Sequence, residues 1–254
     1  MKDIVVLGNA DNIIELSDYR VDEVALAKIS QNVFWLEGDS RCFNSETKQW
    51  FERNSGSYIS SQANTASFNV LDKILRDIRS NNDAISSTSY ASYQCDIPNI
   101  VSAEMTAVFV IKKINKNANI IYAAGRNPNN GEDVSKKLLR AGVNADGKFT
   151  WWDSLGITFY LQYVDSALLL KLNAGETLIM TLTASKYNGC KMYLNGNLVA
   201  STQKEFTLAD NTLILNGSAN CHRGHTLLYK TDLSLSPKQL DLLHNTLKSY
   251  YNIV

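Results

Sequence analysis

The feature that most constrains this chain is a change of period. From about residue 100 onward, apolar residues recur in short runs bounded by Asn, Asp or Gly, which is the pattern of strands rather than helices. Runs at 104–113, 120–124, 137–143, 157–164, 167–172 and 177–183 read as strands, and two further ones lie at 213–215 and 226–229. The segment from Lys191 to Ala200 gives the sharpest local signal. There Asn195-Gly196 stands between two apolar runs and supplies both positive-φ positions of a type I′ turn, so the segment is a tight hairpin. Short strands with frequent turns and no regular alternation with helices imply an all-β, antiparallel two-sheet sandwich.

Two segments depart from that period. Phe68, Leu71, Ile74, Leu75 and Ile78 recur at three- and four-residue intervals with charged residues between them, which predicts a peripheral amphipathic helix near 66–80. Ser236-Pro237-Lys238-Gln239 places Ser at an N-cap, Pro at the first helical position and Gln three residues after the cap. This predicts a C-terminal helix after Pro237, carrying Leu240, Leu243, Leu247 and Tyr250. Residues 1–30 hold apolar clusters around Ile4, Ile13 and Val21, yet are too few to bury a core of their own. They are expected to form an N-terminal arm or docking segment, laid against the sandwich's edge or, the favoured expectation, against another subunit. Residues 31–254 form the main domain.

Composition removes several function classes. A chain of 254 residues, 44% hydrophobic and with 25 basic against 25 acidic side chains, is not intrinsically disordered. Nor does it show the basic excess of a nucleic-acid binder. No apolar run approaches the roughly 18 residues of a membrane span. The stretch Ile4-Val5-Val6-Leu7 is shorter than a signal-peptide core, so export by the ordinary route is not expected. Cys42, Cys95, Cys190 and Cys221 lie far apart with no Cys-x-x-Cys, and a chain of this size folds without staples, so reduced structural thiols are expected.

Several stretches, in order, resemble a known superfamily. Val33-Phe34-Trp35-Leu36-Glu37-Gly38-Asp39, followed by Trp50 and Asn54-Ser55-Gly56, is similar to an opening strand and polar turn. Met105 to Ile111 and then Ile120-Ile121-Tyr122-Ala123-Ala124-Gly125 resemble paired central strands. Met192-Tyr193-Leu194-Asn195-Gly196-Asn197-Leu198-Val199 is similar to a characteristic hairpin, and Leu228-Tyr229 with the segment from Leu233 to Tyr251 resembles a last strand and closing helix. Together they resemble the concanavalin A-like lectin/glucanase superfamily, in particular the laminin-G-like jelly rolls of bacteriophage and bacterial surface proteins. The resemblance covers about residues 31–254 and implies a jelly-roll sandwich. It does not by itself imply an activity, because this fold hosts lectins, glucanases, adhesion modules and structural domains.

Glycoside hydrolysis needs two carboxyl groups flanking the scissile bond. The chain lacks a Glu-x-Asp-x-Glu strand, and Glu104 and Asp165 stand alone, so no catalytic residues and no enzyme activity are expected. Cys221-His222-Arg223-Gly224-His225 offers three potential metal ligands where zinc normally takes four, so it reads as a polar hairpin loop beside a buried cysteine. His244 reads as a residue on the flank of the closing helix. No cofactor is implied, with calcium left open by the resemblance: Asn127-Pro128-Asn129-Asn130-Gly131-Glu132-Asp133 and Asn144-Ala145-Asp146 carry suitable oxygens, as do ordinary solvated turns. Trp151-Trp152-Asp153, with Tyr160 and Tyr163, is the candidate carbohydrate-binding group. An exposed indole gives a sugar ring a flat apolar face, and Asp bonds its hydroxyls; the alternative, that the aromatics are core or subunit contacts, stays open.

With the resemblance, these observations lead to the expectation of a non-enzymatic bacteriophage virion structural protein of head, tail or fibre. It would be oligomeric, joined to other virion subunits through its N-terminal arm, and able to bind host-surface glycan. The alternatives are a carbohydrate-binding adhesin of a bacterial cell surface and, less favoured, a glucanase-like hydrolase.

Overall fold

A computed structural model describes residues 4–6, 13–15, 21–60, 66–69, 73–77, 93–96, 104–113, 118–123, 139–152, 159–205, 212–215 and 222–254. The chain opens with a small antiparallel pair, β1 (Ile4–Val6) and β2 (Ile13–Glu15), and a helix, α1 (Val21–Ala27). Next come β3 (Asn32–Leu36), β4 (Phe43–Asn44), β5 (Gln49–Glu52), β6 (Ser57–Ser60), β7 (Ala66–Asn69), β8 (Ile74–Asp77) and β9 (Tyr93–Asp96). The central strands are β10 (Glu104–Lys113), β11 (Ala118–Ala123), β12 (Leu139–Val143), β13 (Phe149–Trp152) and β14 (Phe159–Tyr163). A second helix, α2 (Ser166–Asn173), precedes β15 (Leu178–Ser185), β16 (Gly189–Leu194), β17 (Asn197–Thr202), β18 (Thr212–Leu215) and β19 (His222–Tyr229). The chain closes with α3 (Pro237–Tyr251).

Apart from the β1–β2 pair, the described strands form one large and one small antiparallel sheet. The large sheet runs β17-β16-β15-β10-β19-β3-β5-β4, with β6 added on β5 and the β7–β8 pair added on β19. The small sheet runs β14-β13-β12-β11-β18-β9. This is the expected all-β jelly-roll sandwich, with the expected closing helix.

Strand alternation explains why the central strands are apolar at nearly every position. Along β10, Ala107, Phe109 and Ile111 face inward, where they meet Ala141, Val143, Phe149, Trp151 and Leu161 of the small sheet. The intervening Val108 and Val110 face outward but are covered, with Ile179, Leu227 and Trp35, by Leu240, Leu243 and Leu247 of α3. Those three leucines recur at helical spacing, and burying each contributes roughly 1.5–3 kcal/mol. The third layer is therefore a helix laid on the sheet's outer face.

Three expectations are corrected. The described residues of the expected peripheral helix near 66–80 form a strand pair instead: β7 and β8 are paired, with Phe68 opposite Leu75 and Lys73 at a left-handed φ of 54°. A spacing of seven residues joins two turns of a helix and equally joins partners across a hairpin, so the apolar period could not separate them. Residues 167–172 are not a strand but the body of α2. This run has no β-branched residue, and Asp165 supplies its N-cap. At α3, Ser236 stands at the N-cap and Pro237 follows, but the Ser236 side chain makes no capping bond. Gln239 instead accepts from Ser30 Oγ at 3.4 Å. In the first thirty residues, Leu26 and Ile29 are buried against α3 of the same chain.

Candidate functional site

Three chain reversals meet at the start of β15 and enclose a cleft of about 490 Å³. The first is the end of α2. Gly175 takes a φ of +97°, a conformation that disfavours side chains, and the Glu176 amide donates back to the Lys171 carbonyl at 3.0 Å. This holds Lys171 and Glu176 on the rim, with Nζ and Oε2 4.0 Å apart and both side chains largely exposed. A pair so exposed is worth at most about 1 kcal/mol, so both groups remain available to a ligand.

The second reversal is the expected type I′ turn, with φ of 48° at Asn195 and 82° at Gly196. Asn195 is tied to β15 twice: its Oδ1 accepts from the Ile179 amide and its amide donates to the Ile179 carbonyl, both at 2.8 Å. The third is the end of α3, where Asn252 is left-handed and the Ile253 amide donates to the Lys248 carbonyl at 2.9 Å. Leu168 and Ile253 add apolar wall, and Thr177 and Asn252 add polar lining.

Two helices thus end at one cleft. Helix C-termini carry the negative end of the helix dipole. Most of the last carbonyls here are already bonded, those of Leu170, Lys171 and Leu172 in α2 and of Lys248, Ser249 and Tyr250 in α3. The polar lining is therefore chiefly the side chains of Lys171, Glu176, Thr177, Asn195 and Asn252. Lys171 and Glu176 balance in charge. Such a surface offers a hydroxylated ligand both donors and acceptors and, with its side-chain charges balanced and two helix C-termini at its edge, suits an anion poorly. Among the described residues, no three His, Cys, Asp or Glu side chains converge as metal ligands would.

A buried polar cluster anchors the cleft's floor. Tyr251 lines the cleft while its hydroxyl runs into the large sheet, accepting from the His225 amide at 2.9 Å and lying 2.8 Å from His225 Nδ1. The Gly38 amide donates to the same Nδ1 at 3.4 Å, which makes that nitrogen an acceptor and the tyrosine hydroxyl its donor. The ring fits because Gly38 and Gly224 lack side chains: a Cβ at either would fall 2.1 or 2.2 Å from the Tyr251 oxygen. A bulge in the β10–β19 register, between Phe109–Thr226 and Ile111–Arg223, sets Gly224 and His225 in this position. Beside them, Tyr250 donates to the Gly38 carbonyl at 2.7 Å, and Lys73 Nζ lies 3.9 Å above the Tyr250 ring. Glu37 and Arg53 form an ion pair nearby, and Trp50 Nε1 donates to the Glu37 carbonyl at 2.9 Å.

Beneath the Asn195-Gly196 turn lies His244. Its Nε2 is 3.0 Å from Thr181 Oγ1, and its ring would stand 3.4 Å from any Cβ added at Gly196. Burial, and then the Lys248 charge, hold this imidazole down at about 4. It is a neutral packing residue under the turn, not a helix-flank residue.

Of the residues expected to bind sugar, the structure places two, Trp151 and Tyr163, on the inner core. Trp151 is fully buried in the inner core, so it cannot be a stacking face, and Tyr163 packs half-buried on the same core. Trp152 and Tyr160 lie in β13 and β14, and Asp153 falls outside the described residues. Of the two candidate calcium loops, 127–133 also falls outside them. In the other, Asn144 Oδ1 accepts from the Lys148 amide at 2.9 Å, closing an ordinary turn. Cys221 lies outside the described residues, while His222, Arg223 and His225 are buried in β19 rather than in a loop. The isolated carboxyls hold local structure: Asp165 accepts from the Leu168 amide at 2.8 Å, and Glu104 from the Asp232 amide at 3.5 Å.

Sequence reasoning missed Lys171, Glu176 and Asn252, whose only signals were helix-ending residues, Gly175 and a final Asn. It also missed Tyr187, which is 80% exposed on the β15–β16 turn at the opposite end of β15. There Ser185 Oγ accepts from the Tyr187 amide at 3.1 Å and the Asn188 amide at 3.2 Å.

No family profile and no curated protein matches the chain. Solved structures do. Botulinum neurotoxin type C, which depends on interaction with two ganglioside molecules to enter cells, aligns over 87% of this chain and 53% of its own, with a TM-score of 0.62 and 11% identity. The binding domain of botulinum neurotoxin DC, solved with rat synaptotagmin II, aligns over 85% and 52%, with a TM-score of 0.58 and 10% identity. A sialidase of Trypanosoma rangeli aligns over 87% and 33%, with a TM-score of 0.51 and 10% identity. The shared fold is a jelly-roll β-sandwich. This chain spans about half the length of the toxin chains it matches.

Proposed function

We propose that this protein is a non-enzymatic, lectin-like binding module of the concanavalin A-like type, and that it takes a neutral saccharide in the cleft between α2, the Asn195-Gly196 turn and α3. The observation that carries this reading is the cleft itself: a concavity of about 490 Å³, within the range of small-molecule sites, lined by one cation, one carboxylate and the neutral polar side chains of Thr177, Asn195 and Asn252, on a jelly-roll sandwich. The toxin binding domains that share the fold support glycan binding in general, not a neutral ligand in particular. One is described with gangliosides and another in complex with SialylT. Asp165 and Glu104 are engaged in local structure, which weighs against a hydrolytic pair.

The setting we favour is a bacteriophage virion, with the module displayed toward host-surface glycan and assembly contacts made through the N-terminal arm, residues 1–30. A bacterial surface adhesin fits the same cleft equally. A glycan array tests the binding reading, with hits competed by free sugar and repeated on Lys171→Ala and Asn252→Ala. We expect neutral glycans to bind and both variants to weaken them at least several-fold. Absence of any competable hit, or hits indifferent to both variants, would overturn the assignment. A mass-spectrometric inventory of purified virions separates the two settings.

A further inference from the structure

One donor in the cleft has its orientation set by the fold. Asn195 is half-buried on the wall. Its Oδ1 accepts from the Ile179 amide and its own amide donates to the Ile179 carbonyl, both at 2.8 Å. An N–H donor needs an oxygen, so the Ile179 bond decides which end of the carboxamide is which. Nδ2 is therefore the end turned away from the Ile179 amide, and among the described residues it takes no partner. The left-handed φ of 48° at the type I′ turn fixes the backbone beneath it. A donor held this way loses little freedom when a ligand arrives, which favours a ligand that presents an acceptor at that place.

The apolar part of the wall is aliphatic. Leu168 packs half-buried on the inner core, with its amide bonded to the Asp165 carboxylate at 2.8 Å, and Ile253 packs on the outer-face core. Tyr251 is the aromatic among the described lining residues. Its ring is engaged edge-to-face by Tyr250 and His225, at centroid distances of 4.8 and 5.6 Å, and its hydroxyl is held in the sheet. The described lining thus offers no free aromatic plane on which a hexose ring could stack. Two branched side chains instead form a surface that matches a methyl group.

We propose that the cleft selects 2-acetamido sugars, the N-acetylated hexosamines, with Asn195 Nδ2 and the Leu168–Ile253 wall as the specificity determinants. This rests on the saccharide reading above and narrows it. The acetamido group is neutral and joins a carbonyl oxygen to a methyl, so a single substituent meets both the fixed donor and the aliphatic wall. Its carbonyl accepts through two lone pairs and carries no proton of its own. Lys171, Glu176 and Asn252 are left for the sugar's other polar groups. A 6-deoxy sugar supplies the methyl without the carbonyl, and an unmodified hexose supplies neither.

Amide chemical-shift titration of the full chain with N-acetylglucosamine, 6-deoxyglucose and glucose, and with N-acetylgalactosamine and galactose, tests this. At least one acetamido sugar should bind roughly tenfold or more tighter than its parent hexose, with 6-deoxyglucose weaker than N-acetylglucosamine. This comparison needs no variant. Asn195→Asp keeps an acceptor for the Ile179 amide and a residue type that tolerates the left-handed turn, but sets an acceptor where Nδ2 stood. It should cut the preference for the acetamido sugar at least several-fold, with an unchanged denaturant midpoint showing that the turn is intact. Equal binding of acetamido sugars and their parent hexoses would overturn this proposal and leave the saccharide reading standing. So would 6-deoxyglucose matching N-acetylglucosamine, or an unchanged preference in folded Asn195→Asp. Failure of every sugar to shift the cleft residues would overturn both.

Discussion

Gly224→Ala is the smallest change that should unseat the cleft's floor. The added Cβ would lie 2.2 Å from the Tyr251 oxygen and 2.7 Å from its Cζ, distances that real Cβ contacts do not show. The tyrosine must therefore withdraw. It then loses the bonds of its hydroxyl to the His225 amide and to Nδ1, at 2.9 and 2.8 Å, beside a fully buried imidazole. Two bonds of about 1 kcal/mol each, plus about 1–3 kcal/mol for leaving buried groups without them, give a loss of about 3–5 kcal/mol. At about 2–4 °C per kcal/mol for a chain of this size, the melting temperature should fall by roughly 6–20 °C. Urea unfolding followed by fluorescence measures this directly, provided the slope is unchanged. Combining Gly224→Ala with Tyr251→Leu should cost much less than the sum of the two single changes, because both remove the same contact. A loss for Gly224→Ala below about 0.5 kcal/mol, or strict additivity in that pair, would refute the argument.

Gly196→Val should lower stability by about 1–2 kcal/mol from its left-handed φ alone, while Gly196→Asn should cost much less; equal denaturant midpoints for the two variants would contradict the turn assignment. Because folded His244 stays neutral down to about 4 whereas the unfolded residue protonates near 6.5, its contribution is full above pH 6.5 and is lost as the pH falls toward 4. The parent should thus lose about 3 kcal/mol more than His244→Gln across that window, and parallel pH profiles would sink this reading. The Cys190 thiol, pushed up to about 12 chiefly by burial, should stay unlabelled by a thiol reagent in the native protein, as judged by peptide mapping; rapid native labelling would contradict its placement. Trp151→Phe should destabilise the fold without altering saccharide affinity relative to the fraction folded, and a selective loss of affinity would restore Trp151 to the site.

The legible parts of the fold were those that local chemistry decides. Asn195-Gly196 names its own turn, and Pro237 with the leucines after it names the closing helix, whichever residue caps it. Where a pattern serves two structures, the sequence misled. The seven-residue interval from Phe68 to Leu75 fits a helix face and a strand pair alike, and Ala167 to Leu172 is apolar enough for either state. The site was less legible, because its residues come from three distant segments brought together only by the sandwich. Lys171, Asn195 and Asn252 share no motif, and their common property, lying at chain reversals around one cleft, exists only after folding. Trp151 drew attention as an aromatic, but alternation along β13 alone could not say which face was the core. The buried His225 likewise depends on Gly38, Gly224 and Tyr251 meeting across more than 200 residues of chain.

The central claim is that saccharide binds at the junction of the two helix ends. Backbone amide chemical-shift mapping with a saturating neutral glycan tests it most directly. The account predicts shifts concentrated at residues 168–177, 195–196 and 251–254, and lost in Asn252→Ala. Shifts centred instead on Tyr187, or on the small sheet around Trp152 and Tyr160, with the cleft unmoved, would contradict it.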